Sequence, residues 1–251
     1  MGRWLHTLVA RLLGKFGLEL IPSWRMVRLP LARHLRDVFD ECDIRCVLDV
    51  GANTGQYRDF LRREVGYRGQ IISFEPISDE FERLRKRAAD DSRWHVMNLA
   101  LGDHDYSAEL HVMASSDLSS LHMPKAKGPQ YRMNVVQRNE TVSVRRLDKV
   151  VEELGSVVPT GGVYLKTDTQ GHDLAVIEGA SGILERVVAL QSEMAVVRVY
   201  DNAPSYTEAI AALETKGYLL SGMFPAAVGG GLRLFEFDCV MIRRGLERGN
   251  A

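Results

Sequence analysis

Apolar and polar positions along the chain follow two periods that take turns. Short apolar runs at 46–50 (CVLDV), 69–76 (GQIISFEP), 94–102 (WHVMNLALG), 163–168 (VYLKTD) and 187–194 (VVALQSEM) predict buried strands. Between them, helical spacing predicts helices over 54–65, 78–90, from 150, over 173–184 and over 205–217. Ser78 is a candidate N-cap with Phe81 and Leu84 facing inward, and Gly217 closes the last helix. Segments 107–113 and 140–147 alternate every second residue, as exposed strands do. YLLSGMF and FEFDCVMIRR, around PAAVGGG, predict a terminal hairpin with an antiparallel last strand. Strands alternating with helices imply βαβ units, a mostly parallel sheet and helices on both of its faces. The stretch 114–139 is long for a compact domain, and loops of that length tend to carry function.

Composition narrows the picture. The 251 residues suit one domain, and 45% hydrophobic content supports a sizeable core. A formal charge of −1 argues against a general nucleic-acid binder. Cys42, Cys46 and Cys239 lack metal-ligand spacing and fit a reducing, cytoplasmic compartment. The charge is uneven: residues 1–36 hold seven Lys/Arg against Glu19, a net +6 that leaves −7 for the rest. Trp4, Leu5, Leu8, Val9, Leu12, Leu13 and Phe16 recur at helical spacing, so residues 1–40 read as a basic amphipathic helical segment. It precedes a main domain over 41–245 and a tail over 246–251. Such a helix covers the main domain or a dimer partner, or attaches loosely to an anionic membrane surface. No run approaches the ~20 apolar residues of a membrane span, and no clear secretory signal is present.

The first strand enters DVGANTG, a turn of small residues. In open α/β sheets ligands bind beyond the carboxyl ends of the strands, where this turn lies. Gly51 and Gly55 free the backbone to turn and to approach a ligand. A dinucleotide fingerprint needs Gly at 53 and 56, where the chain has Asn53 and Gln56, so pyrophosphate binding is poorly supported. The next strand ends in Glu75, an acid placed to accept both hydroxyls of a ribose. LALGD follows the third strand, where the apolar Ala100 and Leu101 and then Asp103 border an adenine. A nucleoside without pyrophosphate points to S-adenosyl-L-methionine, with Asp49 near its ammonium group.

VLDVGANTGQY, SFEP, LALGD, LKTDTQGHDLAVIEGA and QSE together resemble the FkbM family of S-adenosylmethionine-dependent O-methyltransferases. The resemblance runs from Val47 to Arg243, and the first 40 residues lie outside it. It implies a doubly wound, Rossmann-like sheet of seven strands and methyl transfer to hydroxyls of sugars or natural products. It also implies that Ser119, Ser120 and Leu121 lie near the cofactor. Members usually carry Glu where this chain has Asp173 and a small residue where it has His172.

An alcohol is a poor nucleophile, so its methylation needs a base or a cation that makes it more acidic. YLKTDTQGHD concentrates the candidates. Lys166 and Asp168 alternate along one strand face, and His172 and Asp173 follow Gly171. Glu193 ends the neighbouring strand. In one mechanism Asp168 or His172 takes the hydroxyl proton, with Lys166 as catalyst or ion-pair partner. In the other, Asp168, Asp173 and Glu193 hold Mg²⁺ through oxygen ligands and the acceptor hydroxyl joins them. The polar loop with His122, Lys125, Lys127 and Tyr131 reads as a lid for a small-molecule or glycan acceptor, with Tyr200 and Tyr206 placed to stack on a sugar. A glycolipid or polysaccharide sugar is the expected acceptor. A small non-sugar metabolite, or a non-catalytic nucleoside-binding scaffold, are the alternatives.

Overall fold

The computed structural model describes residues 26–125, 135–228 and 233–246. The predicted amphipathic helix between Trp4 and Phe16, the loop residues Lys127 and Tyr131, and the glycines at 229–231 lie outside these residues.

Helix α1 (Leu29–Glu41) leads into β1 (Ile44–Val50), followed by α2 (Gln56–Phe60), which continues as a π-turn over Leu61–Val65. Then come β2 (Gln70–Phe74), α3 (Ser78–Ala88), β3 (Trp94–Met97), β4 (Ala100–Gly102), β5 (Tyr106–Met113) and β6 (Val136–Arg146). Next are α4 (Leu147–Leu154), β7 (Gly162–Thr167), α5 (Asp173–Glu178), β8 (Val187–Ala195), α6 (Tyr206–Thr215), β9 (Tyr218–Val228) and β10 (Leu234–Arg243). Seven strands form one sheet in the order β3-β2-β1-β7-β8-β10-β9. It is parallel except for β10, which inserts antiparallel between β8 and β9. The doubly wound α/β sheet expected from the alternation is present.

Both faces of the sheet are covered, which is why β1 is buried at every position but Arg45. Its side chains divide with the strand's period of two. Cys46, Leu48 and Val50 join Leu165, Val176 and Leu213 on one side. Val47 joins Leu35, Phe39, Ile71 and Tyr164 on the other, and so does Ile44, because the register shifts between Ile44 and Cys46. Helix α1 buries Leu31, Leu35 and Phe39 in that second cluster, so this part of the segment 1–40 packs against the sheet.

The run 94–102, expected as one strand region, divides at Asn98. The first half pairs with β2, and Ala100–Gly102 pairs with β6 in a second, three-stranded sheet, β4-β6-β5. Asn98 is the hinge: its Nδ2 donates to the carbonyls of Glu75 and Pro76 (2.9 and 3.1 Å). Ser78 is the first residue of α3, not its cap, and makes no capping bond. The helix over 173–184 stops at Glu178, continuing only as a 3₁₀ turn over Ser181–Ile183. Gly179, the C-cap, packs against β4, where a Cβ would lie 1.9 Å from the Gly102 carbonyl oxygen. No helix among the described residues is long and apolar enough to cross a membrane.

Candidate functional site

The turn after β1 is shaped by left-handed backbone. Gly51 (φ 77°), Asn53 (φ 47°) and Gly55 (φ 89°) all adopt it, and Asn tolerates this region better than most side chains. At Gly51 no side chain fits, since a Cβ would stand 2.0 Å from the Asp168 carbonyl oxygen. The turn therefore presses directly on the end of β7, and the Asp168 N–H donates to the Val50 carbonyl (3.1 Å).

A cavity with an empty volume of about 650 Å³ opens beyond this turn. At one end it is apolar, with Ile77, Leu99, Ala100, Leu101, Leu110 and Leu121. Glu75 lies in its wall, and Gly51, Asn53 and Asp168 border the other end. The Glu75 carboxylate accepts the backbone N–H of Asn53 (2.7 Å) and of Ile77 (2.8 Å). Burial pushes its pKa up to about 7, although those two N–H groups pull it back. Asn53 also donates to Ser116 Oγ (2.9 Å), tying the turn to the long loop.

That loop is a strap across the cavity. Ser120, 1% exposed, donates through Oγ to the Gln170 carbonyl (2.8 Å) and accepts the His122 N–H (3.0 Å). Tyr200 is buried and its hydroxyl donates to the Leu118 carbonyl (2.5 Å). It is a clasp for the strap and not a surface for stacking. Lys125 and Asp201 extend the clasp through backbone bonds to Val199 and Met123.

A second, larger cleft of about 1180 Å³ is also lined by the turn, through Gly51, Ala52 and Asn53. The two spaces share Gly51, Asn53, Asp117 and Asp168 in their walls. Asp168 thus stands at the junction, its Oδ1 accepting from Gln170 Nε2 (3.1 Å) and its Oδ2 3.4 Å from Lys166 Nζ. Lys166 is buried, donates to the Gly51 carbonyl (3.2 Å) and sits 3.3 Å from Asp49 Oδ1. Burial opposes its charge, yet Asp168, Asp49 and Glu193 outweigh that and raise its pKa. Asp49 is fully buried beneath the turn, where its Oδ2 accepts from Ser73 Oγ (2.9 Å).

His172 lines the cofactor-sized cavity and not the larger cleft. Burial and the neighbouring His122 ring lower its pKa to about 4, which keeps the imidazole neutral. Its Nε2 is buried without a partner. Asp173 turns inward, accepting the N–H of Thr169 (3.2 Å) and Gly171 (3.3 Å). Glu193 does lie beside Asp168, bridged by Gln170 Nε2 (2.8 Å to Glu193 Oε2). Burial and the carboxylates of Asp168, Glu236 and Asp238 push Glu193 well above the ordinary range. The three carboxylates expected around Mg²⁺ therefore do not converge. Among the described residues no group of three or more His, Cys, Asp or Glu is arranged to hold a metal ion.

Gln170, Gln191, Glu236 and Asp238 line the cleft without having been singled out from the sequence. The signal was there in FEFD, where two acids alternate on one face of an otherwise apolar strand.

The chain matches the family model of the methyltransferase FkbM domain over residues 49–220. Among solved structures it is similar to the methyltransferase FkbM of Methylobacillus flagellatus KT, with a TM-score of 0.52 and 15% identity over 80% of this chain. The match covers 44% of that protein, so the chain spans less than half its length. It also aligns with the magnesium protoporphyrin IX methyltransferase of Synechocystis PCC 6803, solved with bound SAM. There the TM-score is 0.45 and the identity 9%, over 91% of this chain and 87% of that one. At 15% identity the likeness to the Methylobacillus flagellatus protein bears on the fold alone. No curated protein sequence matches the chain.

Proposed function

The chain belongs to the FkbM methyltransferase family, and on that premise we propose that it is an S-adenosyl-L-methionine-dependent O-methyltransferase acting on a sugar hydroxyl. One observation carries the reading: a nucleoside-sized cavity and a polar cleft share two carboxylates, Asp117 and Asp168, and Asp168 is the one held by Gln170 and Lys166.

The residues present fit the cofactor. The apolar end around Ile77, Leu99, Ala100 and Leu101 suits a purine, and the Glu75 carboxylate suits the two ribose hydroxyls. Gly51 and Asn53 border the space for the methionine portion, and Ser120 holds the strap over it. When bound, S-adenosyl-L-methionine supplies a methyl group on a positively charged sulfur. The chain itself contributes placement, water exclusion and proton removal. Asp168, fixed by Gln170 and Lys166, takes the proton from the acceptor hydroxyl as its oxygen is methylated. Lys166 and Asp49 act from below by holding the turn and Asp168 in register.

The acceptor cleft supports a polyol, since carboxylates and amides line it and hydroxyls are their natural donors. The test is incubation with methyl-labelled cofactor and a panel of sugar, glycolipid and non-sugar hydroxyl acceptors. Asp168→Ala is expected to lose more than about a hundredfold in turnover while calorimetry still registers S-adenosylhomocysteine. Transfer only to non-sugar hydroxyls would remove the sugar assignment. Full turnover by the Asp168 variant would remove the base.

A further inference from the structure

Gln191 is 2% exposed, within β8. Its Oε1 accepts from the hydroxyls of Tyr57 (2.7 Å) and Tyr164 (2.9 Å), and its Nε2 donates to Asp238 Oδ1 (2.8 Å). The orientation of the amide follows from chemistry. A carboxylate only accepts, so the NH₂ must face Asp238, and the carbonyl is left to the tyrosines. A buried network with three hydrogen bonds on one amide favours one geometry. Here it connects α2, the helix of the glycine turn, to a carboxylate in the wall of the larger cleft.

Asp238 lies opposite Glu193 in the β8–β10 register, and Glu236 shares its strand face two residues earlier. Asp117 and Asp168 complete the acidic lining. Among the described residues, the cationic groups of this cleft are Arg28 and Lys166. Lys166 is already held between Asp49 and Asp168, and the Arg28 guanidinium lies over the Phe60 ring. Among the described residues the cleft wall thus carries five carboxyl groups, Asp117, Asp168, Glu193, Glu236 and Asp238, against two cationic side chains, beside apolar residues such as Val27, Leu31, Phe224 and Pro225.

We propose that Asp238, aimed by Gln191 as a positioning residue, recognises the acceptor and restricts it to neutral or cationic polyhydroxyl compounds. This rests on the methyl-transfer reading above. Hexose and aminohexose glycosides fit, because their hydroxyl and ammonium groups donate to carboxylates. Uronic acids are rejected by like charge.

The test compares methyl glucoside, methyl glucosaminide and methyl glucuronide as acceptors with labelled S-adenosylmethionine. The first two are expected to take label, with kcat/KM for the glucuronide at least about tenfold lower. Asp238→Asn raises KM for the glucoside about tenfold, narrows the gap to the glucuronide and leaves S-adenosylhomocysteine affinity unchanged by calorimetry. Gln191→Glu places two carboxylates face to face and lowers both Tm and acceptor affinity. The double variant Q191E/D238N reverses the bond, with Asn donating to Glu, and recovers Tm without recovering KM. A purely structural network would recover both, which overturns the proposal. So does a glucuronide used as well as the glucoside, or an unchanged KM in Asp238→Asn. If no glycoside takes label while S-adenosylhomocysteine still binds, this proposal and the sugar assignment above fall together while methyl transfer stands; a glucuronide used equally well, or an unchanged KM in Asp238→Asn, removes this proposal alone. If S-adenosylhomocysteine gives no heat, the methyl-transfer reading beneath it falls.

Discussion

If Glu75 holds the cofactor's ribose as proposed, its carboxylate makes cofactor binding sensitive to pH in a predictable direction. Its pKa in the folded protein is about 7, against an ordinary value of 4.5, because it is 3% exposed. A raised carboxyl contributes stability that is complete below about pH 4.5 and is lost as pH rises through about 7. The shift corresponds to about 3 kcal/mol of penalty on the buried anion. In the proposed complex the ribose hydroxyls donate to that anion, so binding favours the form that apo folding disfavours. If only the ionised form binds, affinity for S-adenosylhomocysteine falls about tenfold between pH 8 and pH 6, most steeply below about 7. Glu75→Gln removes the charge and sets an amide NH₂ against one of the N–H groups of Asn53 and Ile77, which the carboxylate accepted at 2.7 and 2.8 Å. Hydrogen bonds to a charged group contribute about 1.5–3 kcal/mol each. A loss of about 2–3 kcal/mol, roughly 30- to 150-fold in Kd, is expected for the variant. Isothermal titration at three pH values, with wild type and variant, measures both effects. A wild-type Kd that does not change with pH, or a variant within threefold of wild type, refutes the assignment of Glu75 to the ribose.

Lys166→Met leaves Asp49 buried at 0% exposure without its cation and is expected to cost about 3–5 kcal/mol in chemical denaturation. Adding Asp49→Asn should restore much of that loss, and a double variant no more stable than the single one would contradict the pairing. Gly51→Ala forces a left-handed residue against the Asp168 carbonyl, so a destabilisation of about 2–5 kcal/mol and a displaced Asp168 are expected. Retention of wild-type Tm and turnover by that variant would count against the close approach. Chelation with EDTA is expected to leave methyl transfer unchanged, because Asp173 is engaged by Thr169 and Gly171. A loss of activity restored by Mg²⁺ would reverse this.

Much of the molecule was legible in the order of its residues. Periods of two and 3.6 told strands from helices, and their alternation implied the doubly wound sheet. The glycine turn, Glu75 and Asp168 could be located because each follows directly from the end of a strand, where local sequence and position in the sheet coincide. Chain order did not disclose that 94–102 serves two sheets, since an apolar run reads the same whichever neighbour it pairs with. Nor could it tell that Asp173 turns into its own loop or that His172 faces the cavity lined by Glu75 and Leu101. Residues four apart in a turn have many arrangements, and packing selects one.

The sequence alone determined the local choices: which segments are strands, where the backbone must turn left-handed, and which acids stand at strand ends. These depend on side-chain shape, glycine's freedom and the alternation of faces, all of which act over a few residues. Only the tertiary structure decided which distant groups meet. β10 slots between β8 and β9, and that register sets Asp238 against Glu193 and within reach of Gln191, 47 positions away in the chain. Such contacts arise from burying whole faces of the sheet, a long-range effect that no local pattern encodes.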